Sequence, residues 1–561
     1  MKSIHKITGL FIFFAVATAC TKDYIDVEPK GTVEYEQLIT PDGVEGLVTA
    51  AYSGLDLSFA ILNSNNATGG TNLYGNTTFL HSPTNWGFGD IRSDDTYKGG
   101  GGTADIIELH QIETGNITSE NGLLERKWIA MYAAIGRTNE ALYALDLISE
   151  EEFPAKQTRM AEMRLLRGHF YFEMKKLFRT FPYIDTFITV EESYEITNDL
   201  SEAQLWAEIE EDFLFAKEHL PQSQPQEGRV DKDVAIAYLA KTYIFTEEWE
   251  KVMAETELLM DSYSLLESYE QQYAVENEHG PGMIWAIEHS IDDNSAFGQI
   301  NWGNLLNVPR GPYGGDGFHR PSQNVVNAFK VDANGLPLLD NFNDSNVNET
   351  SFVDPRLDHS IGRPGIPWLD MGEYEANWAR EANIYGPYAI KKNLLSVNDE
   401  HATDGWPWGG SALNWPIIKY SDVLLWRAEA AIMLGNLETG RELINQIRQR
   451  AANSNVVLTE EGEPAANYNI GLYDNFPNRE YALKALRMER RLELAFEGHR
   501  FFDLVRWGIS GEVLNEYFQE EQDERGYLSG AQFLEPRHNY LPIPQRQIDL
   551  AGGIYTQDPN Y

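Results

Sequence analysis

The chain has 561 residues, enough for one large core or for more than one structural unit. Hydrophobic residues make up 42% and charged residues 23%, and mean hydropathy is -0.41; this composition belongs to a globular protein and excludes a disordered chain. Against 44 basic residues stand 86 acidic ones, a formal charge of -42 that repels phosphate polyanions and argues against nucleic acid as a partner, while a neutral ligand is indifferent to it.

Met1, Lys2, His5 and Lys6 precede an apolar run, Ile7 to Ala17, that ends in small residues. A positive start, a short apolar stretch and a small-residue exit predict a secretory signal over residues 1–19. The run is shorter than the roughly 20 apolar residues of a membrane-spanning helix, and no later segment reaches that length. Cys20, the sole cysteine, stands at the exit of the run, so no intrachain disulfide can form. Val16-Ala17-Thr18-Ala19-Cys20 resembles a bacterial lipobox, in which the cysteine is acylated; each buried CH₂ then contributes about 0.8 kcal/mol of membrane attachment. Ordinary cleavage beside a chance cysteine is the plainer reading, but it leaves the position of the only thiol unexplained. Residues 20–34, polar and containing Pro29 and Gly31, read as a lipidated tether.

Helical periodicity follows. Val44, Leu47, Val48 and Ala51 share one stripe, as do Trp128, Met131, Tyr132 and Ile135. Met163, Leu166, Phe170, Met174 and Leu177 form another, and Ile236, Leu239, Ala240 and Tyr243 a fourth. From Tyr420, Val423, Leu424, Ala428 and Ala431 repeat the pattern. Two helices over 231–245 and 247–259, and two more over 420–434 and 438–450, are separated by short breaks. Antiparallel pairs that stack on one another are the tetratricopeptide-type construction, here without a strict sequence repeat. The predicted fold is therefore mainly α, with about four helix pairs as its spine. Between the helices, 62–102, 290–320, 333–358 and 361–415 are rich in Gly, Asn, Asp and aromatics. Loops this long inside a compact domain are usually functional.

Catalytic motifs are missing: there is no HExxH, GxSxG or CxxC. Gly99 to Gly102 lacks the Gly-Lys-Ser/Thr of a phosphate loop, and the acidic run 340–349 lacks the spacing and central Gly of a calcium loop. No cofactor and no metal are expected.

Glu489-Arg490-Arg491-Leu492-Glu493-Leu494-Ala495-Phe496-Glu497-Gly498-His499-Arg500-Phe501-Phe502-Asp503-Leu504-Val505-Arg506-Trp507-Gly508 resembles the most distinctive signature of the SusD/RagB family. Tyr24 to Pro29, Asp90-Ile91-Arg92-Ser93-Asp94-Asp95, Ala161 to Tyr171, Gly228-Arg229-Val230, Tyr420 to Leu425 and Asn445 to Ala451 match it in order and spacing. So do Leu541-Pro542-Ile543-Pro544 and Gln557-Asp558-Pro559-Asn560-Tyr561, where Asn560 replaces the usual Gly. The resemblance implies a SusD-like fold, an N-terminal helical region over 35–275 and a C-terminal region over 276–561. It also implies a lipoprotein exposed on the outer membrane, which captures oligosaccharides and serves as the lid of a SusC-like TonB-dependent transporter. A peptide-binding lid of a RagA-like transporter and a lipid-anchored glycoside hydrolase are the alternatives. The signature itself reads as scaffold, with Met488, Leu492, Ala495 and Phe496 on one stripe, Gly498 at a helix C-cap and an Arg490–Glu493 pair.

A sugar ring offers apolar C–H faces, and stacking about 50 Å² of one on an indole is worth about 1 kcal/mol. The expected contacts are therefore loop aromatics. Trp86, between Asn85 and Gly87, is the first, with Asp90 or Arg92 bonding hydroxyls; in the family, aromatics ahead of the Asp-Asp motif commonly serve this role. Tyr74 is a second. Trp302 and Tyr313, near His319, form another group; Trp368, Trp378, Tyr385, Tyr388, Trp406 and Trp408 form the last. Trp128, Trp249, Trp426 and Trp507 fall inside helical patterns and are assigned to the core.

Overall fold

The structure is a computed structural model and describes residues 38–55, 85–292, 300–301, 303, 306–403, 405 and 408–561. Among the described residues nine helices build the frame: α1 (Pro41–Tyr52), α2 (Gly122–Leu147), α3 (Lys156–Leu177), α4 (Glu202–His219), α5 (Lys232–Phe245), α6 (Trp249–Glu257), α7 (Tyr420–Met433), α8 (Leu437–Asn453) and α9 (Arg479–Leu494). Each packs on the next in chain order, and α7 also touches α9. Their starts are chemically marked. The side chains of Thr40, Asn121, Ser201, Asp231 and Asn478 accept from the free amides of α1, α2, α4, α5 and α9, and Ser201 with Gln204 completes a capping box.

The predicted stripes point inward. Val44, Val48 and Ala51 are buried, as are Trp128, Met131 and Ile135, and all five residues of the α3 stripe. α5 and α7 are buried on nearly every side, as expected of helices in mid-stack. One apolar cluster runs from Val44 to Ile543 and takes residues from both the 35–275 and the 276–561 regions. Trp128 and Trp426 lie within it, whereas Trp249 and Trp507 sit only partly buried at its margin.

Short strands pin the loops to this frame. β1 (Thr96–Gly99) pairs antiparallel with β3 (Phe318–Pro321), and β2 (Met283–Ile287) with β4 (Trp415–Lys419) through an irregular register. Ile361–Gly362 pairs with Ala389–Ile390, and Phe352–Val353 lies parallel to Asn467–Tyr468. Among the described residues no helix is long and apolar enough to cross a membrane.

The signature closes the core. Met488, Leu492, Ala495 and Phe496 join Val325, Phe329, Leu357 and Ile390 in a second apolar cluster. Two details depart from expectation. α9 ends at Leu494, and Phe496 (φ 68°) takes a left-handed conformation before Gly498 does (φ 78°), so Gly498 lies beyond the cap. Arg490 and Glu493 do not pair with each other: Arg490 reaches Asp503 at 2.9 Å, while Glu493 meets Arg450 and Arg356. Burial rewards partners from other elements over a neighbour on the helix surface.

These pairs belong to a buried ionic network. Arg356 bonds Asp354 at 2.8 Å and Glu489 at 2.7 Å, and Arg448 bonds Glu489 at 3.0 Å. Arg491 holds Asp95 at 2.7 Å, Arg500 holds Asp94 at 2.8 Å and Lys419 holds Glu497 at 2.7 Å. Burial alone raises the Glu493 carboxyl, but Arg450, Lys419, Arg356 and Lys392 outweigh it and bring it down to about 2.

Candidate functional site

The Trp86 segment is where sequence and structure part. Trp86 opens a single helical turn, Trp86–Gly89, and is 0% exposed. Its ring stacks on His319 (5.0 Å, 16°) and its Nε1 donates to the Gly303 carbonyl at 3.0 Å. Asp90, also buried, accepts from the Gly498 amide at 3.0 Å and pairs with His319 Nε2 at 2.9 Å. Burial pushes the Asp90 carboxyl well above its ordinary range and the His319 imidazole down to about 3. Arg92 lies over Phe501 at 3.9 Å and donates to the His538 carbonyl at 2.6 Å. None of the three faces solvent. They fasten this loop to the signature: a Cβ added at Gly89 would stand 2.0 Å from the Gly498 carbonyl oxygen, so the two backbones touch. The glycine at 89 thus admits the core and leaves the ring no access to solvent.

The second and third aromatic groups converge. Val308, Tyr313, Trp368, Tyr374, Ala389 and Leu394 form a satellite core, with Trp378 and Met371 packed against it. Trp368 Nε1 donates to the Tyr313 hydroxyl at 3.3 Å, which donates to the Leu395 carbonyl at 2.7 Å. Both rings are sealed, so Trp368 and Tyr313 are supports and not surfaces. Tyr385 is likewise buried. Tyr388 is half-buried and donates to Gln323 Oε1 at 3.2 Å.

The outer edge of this satellite core is open. Trp378 stacks edge-on against Tyr374 at 5.4 Å and Trp368 at 6.4 Å, and its carbonyl accepts from the Arg310 amide at 2.9 Å and the Gly311 amide at 3.3 Å. Trp408 is 42% exposed. Gly311 and Gly314 run between the two indoles: a Cβ at Gly311 would strike Trp378 at 2.7 Å, and one at Gly314 would stand 3.4 Å from Trp408. Gly314 also holds φ 84°, which favours glycine. Around them lie exposed Arg310 and Asp316, and Arg380, whose Nη1 donates to the Asp316 carbonyl at 3.1 Å.

A recess of about 490 Å³ borders the same loops, lined by Tyr273, Leu369, Asp370, Ser396, Asn398 and His401. Asp370 accepts from the Ser396 hydroxyl and from Asn398 Nδ2, at 3.2 Å for the latter. The volume falls in the range of small-molecule sites. Sequence reasoning named none of these polar residues; the Ser/Asn/Asp cluster at 396–399 inside a long loop was the available signal. Cys20, Tyr74, Trp302 and Trp406 lie outside the described residues.

A stack of paired helices bearing a loop-built aromatic and polar face defines the class of protein: a helical scaffold with long insertions. The family model described as the SusD family matches residues 281–561, and one described as starch-binding and associating with the outer membrane matches 94–244. The chain belongs to the SusD family. It is 23% identical to SusD-like protein P2 of Formosa agariphila, over 80% of this chain and 83% of that one, and 25% identical to SusD-like protein P25 of the same organism, over 77% and 78%. Its fold matches a SusD superfamily protein from Bacteroides vulgatus with a TM-score of 0.68 (22% identity, 93% of this chain and 99% of that one). It also matches surface glycan-binding protein A from Bacteroides thetaiotaomicron, solved in complex with laminarihexaose, with a TM-score of 0.67 (20% identity, 93% and 100%).

Proposed function

We propose that the protein is a non-catalytic glycan-capture lipoprotein, anchored to the outer membrane through Cys20 and facing outward. It holds an oligosaccharide against Trp408 and Trp378 and delivers it to a SusC-like TonB-dependent transporter, over which it acts as the lid. One observation carries the reading: two indoles flank a glycine-lined strip on a face that the satellite core stiffens from behind. Trp406 and Trp302 are proposed further contacts, and Tyr388 a contact at the rim.

The energetics suit capture and release. Two stacked faces contribute about 2 kcal/mol, and a millimolar site needs about 4. Two or three hydrogen bonds at about 1 kcal/mol each, from Arg310, Arg380 and Asp316, make up the difference. The family relative bound to laminarihexaose makes laminarin oligosaccharides the first ligands to try.

The test is affinity electrophoresis of the purified protein against laminarin, starch, fructan, xylan and mannan, with an assay for new reducing ends. Retardation by at least one glycan without turnover is expected. Turnover would instead support the hydrolase, and binding of peptides with indifference to every glycan would support the peptide lid. Cys20→Ala is expected to release the protein from the membrane fraction.

A further inference from the structure

Within the frame, α2, α3 and α5 meet the chain at Gly498 around a cavity of about 40 Å³. Its walls carry Lys127, Lys176 and Lys241, against the carboxylates of Glu173 and Glu497. Glu497 is already taken, bonded by Lys419 at 2.7 Å and paired with Lys392. Glu173 pairs with Lys176 at 2.9 Å and also accepts from Asn85. Lys127 and Lys241 are 3% and 6% exposed, and among the described residues neither ammonium has a hydrogen-bond partner. Beyond the walls, Asp422 and Arg490 also act on Lys241, but with opposite signs, and Arg490 is bound to Asp503. His169 and His499, which complete the lining, are both held neutral by burial.

The walls therefore keep a positive excess in a place water hardly reaches. A buried ammonium without a hydrogen-bond partner is costly, and the Phe172 and Tyr238 rings, 5.4 and 5.5 Å from that of Lys241, offset only part of the cost there. Water dipoles relieve part of that cost; an anion relieves more. The space holds roughly three water-sized positions, enough for a halide and too little for a sugar ring.

We propose that this cavity is an internal site for one small monovalent anion of chloride size, held between the ammonium groups of Lys127 and Lys241. Burial draws both lysines down to about 8, so the site loses its charge, and its anion, as pH rises through that value.

The experiment uses the full chain. Thermal unfolding is followed in chloride, bromide and sulfate at constant ionic strength and pH 7, and a crystal grown in bromide is measured at the bromine absorption edge. A saturable rise in Tm of about 1–2 °C is expected with either halide and not with sulfate. A bromide peak is expected between Lys127 and Lys241. Lys127→Met and Lys241→Met, which remove an uncompensated charge and keep the chain length, are expected to fold and to lose the halide response. Ordered water alone in the cavity would overturn the proposal, as would a Tm that follows halide and sulfate equally or a halide response that survives both substitutions.

Discussion

Trp86 and Trp408 each stand among glycines in an aromatic loop, and the chain treats them in opposite ways. Gly89 lets the Gly498 backbone press against the Trp86 turn, and the ring vanishes beneath His319. Gly314, exposed beside Trp408, would set a Cβ 3.4 Å from that ring in ordinary contact, and the indole keeps 42% of its surface in solvent. A glycine beside a tryptophan thus marks a close approach without saying what approaches. At Trp86 the answer is the family signature, more than four hundred residues away along the chain.

The comparison can be broken most severely through the network that holds the signature in place. Arg356→Ala leaves Asp354, Glu489 and Glu493 short of their shared cation, and a loss of about 3–5 kcal/mol is expected in chemical denaturation. Trp86→Ala empties a core position and is expected to cost about 3–4 kcal/mol, with glycan affinity of the folded fraction unchanged. A normal midpoint with lost affinity would return Trp86 to the binding face.

Acid should loosen the scaffold before the platform. The buried carboxyls of Glu493 and Glu173 are held near 2 by surrounding cations despite burial, below an unfolded value near 4.5. A depressed carboxylate contributes stability that is whole above the unfolded value and lost as pH falls through the folded one. Each is expected to give up about 3 kcal/mol between pH 5 and pH 2, read as a falling denaturation midpoint. The smallest effect on stability belongs to Trp408→Ala, within about 0.5 kcal/mol, since the ring is half in water already.

The helical frame was legible because an apolar period is a local signal: the α2, α3 and α5 stripes fall where the sequence puts them. The site was legible only as a set of loops. Whether an aromatic plugs a loop, as Trp368 and Tyr313 do, or crowns it, as Trp408 does, depends on partners such as Leu395 and Gly314, which no local period encodes. Charged partners were equally hidden: Arg490 has Glu493 one turn along its helix, yet bonds Asp503 across a chain reversal.

Titration calorimetry of laminarihexaose, or of the glycan that the electrophoresis selects, into the wild type, Trp408→Ala, Trp378→Ala and Trp86→Phe tests the central claim most directly. Loss of about fivefold or more in affinity for each of the first two variants, with Trp86→Phe binding as the wild type does, is the predicted result. Wild-type affinity in both Trp408→Ala and Trp378→Ala would contradict it.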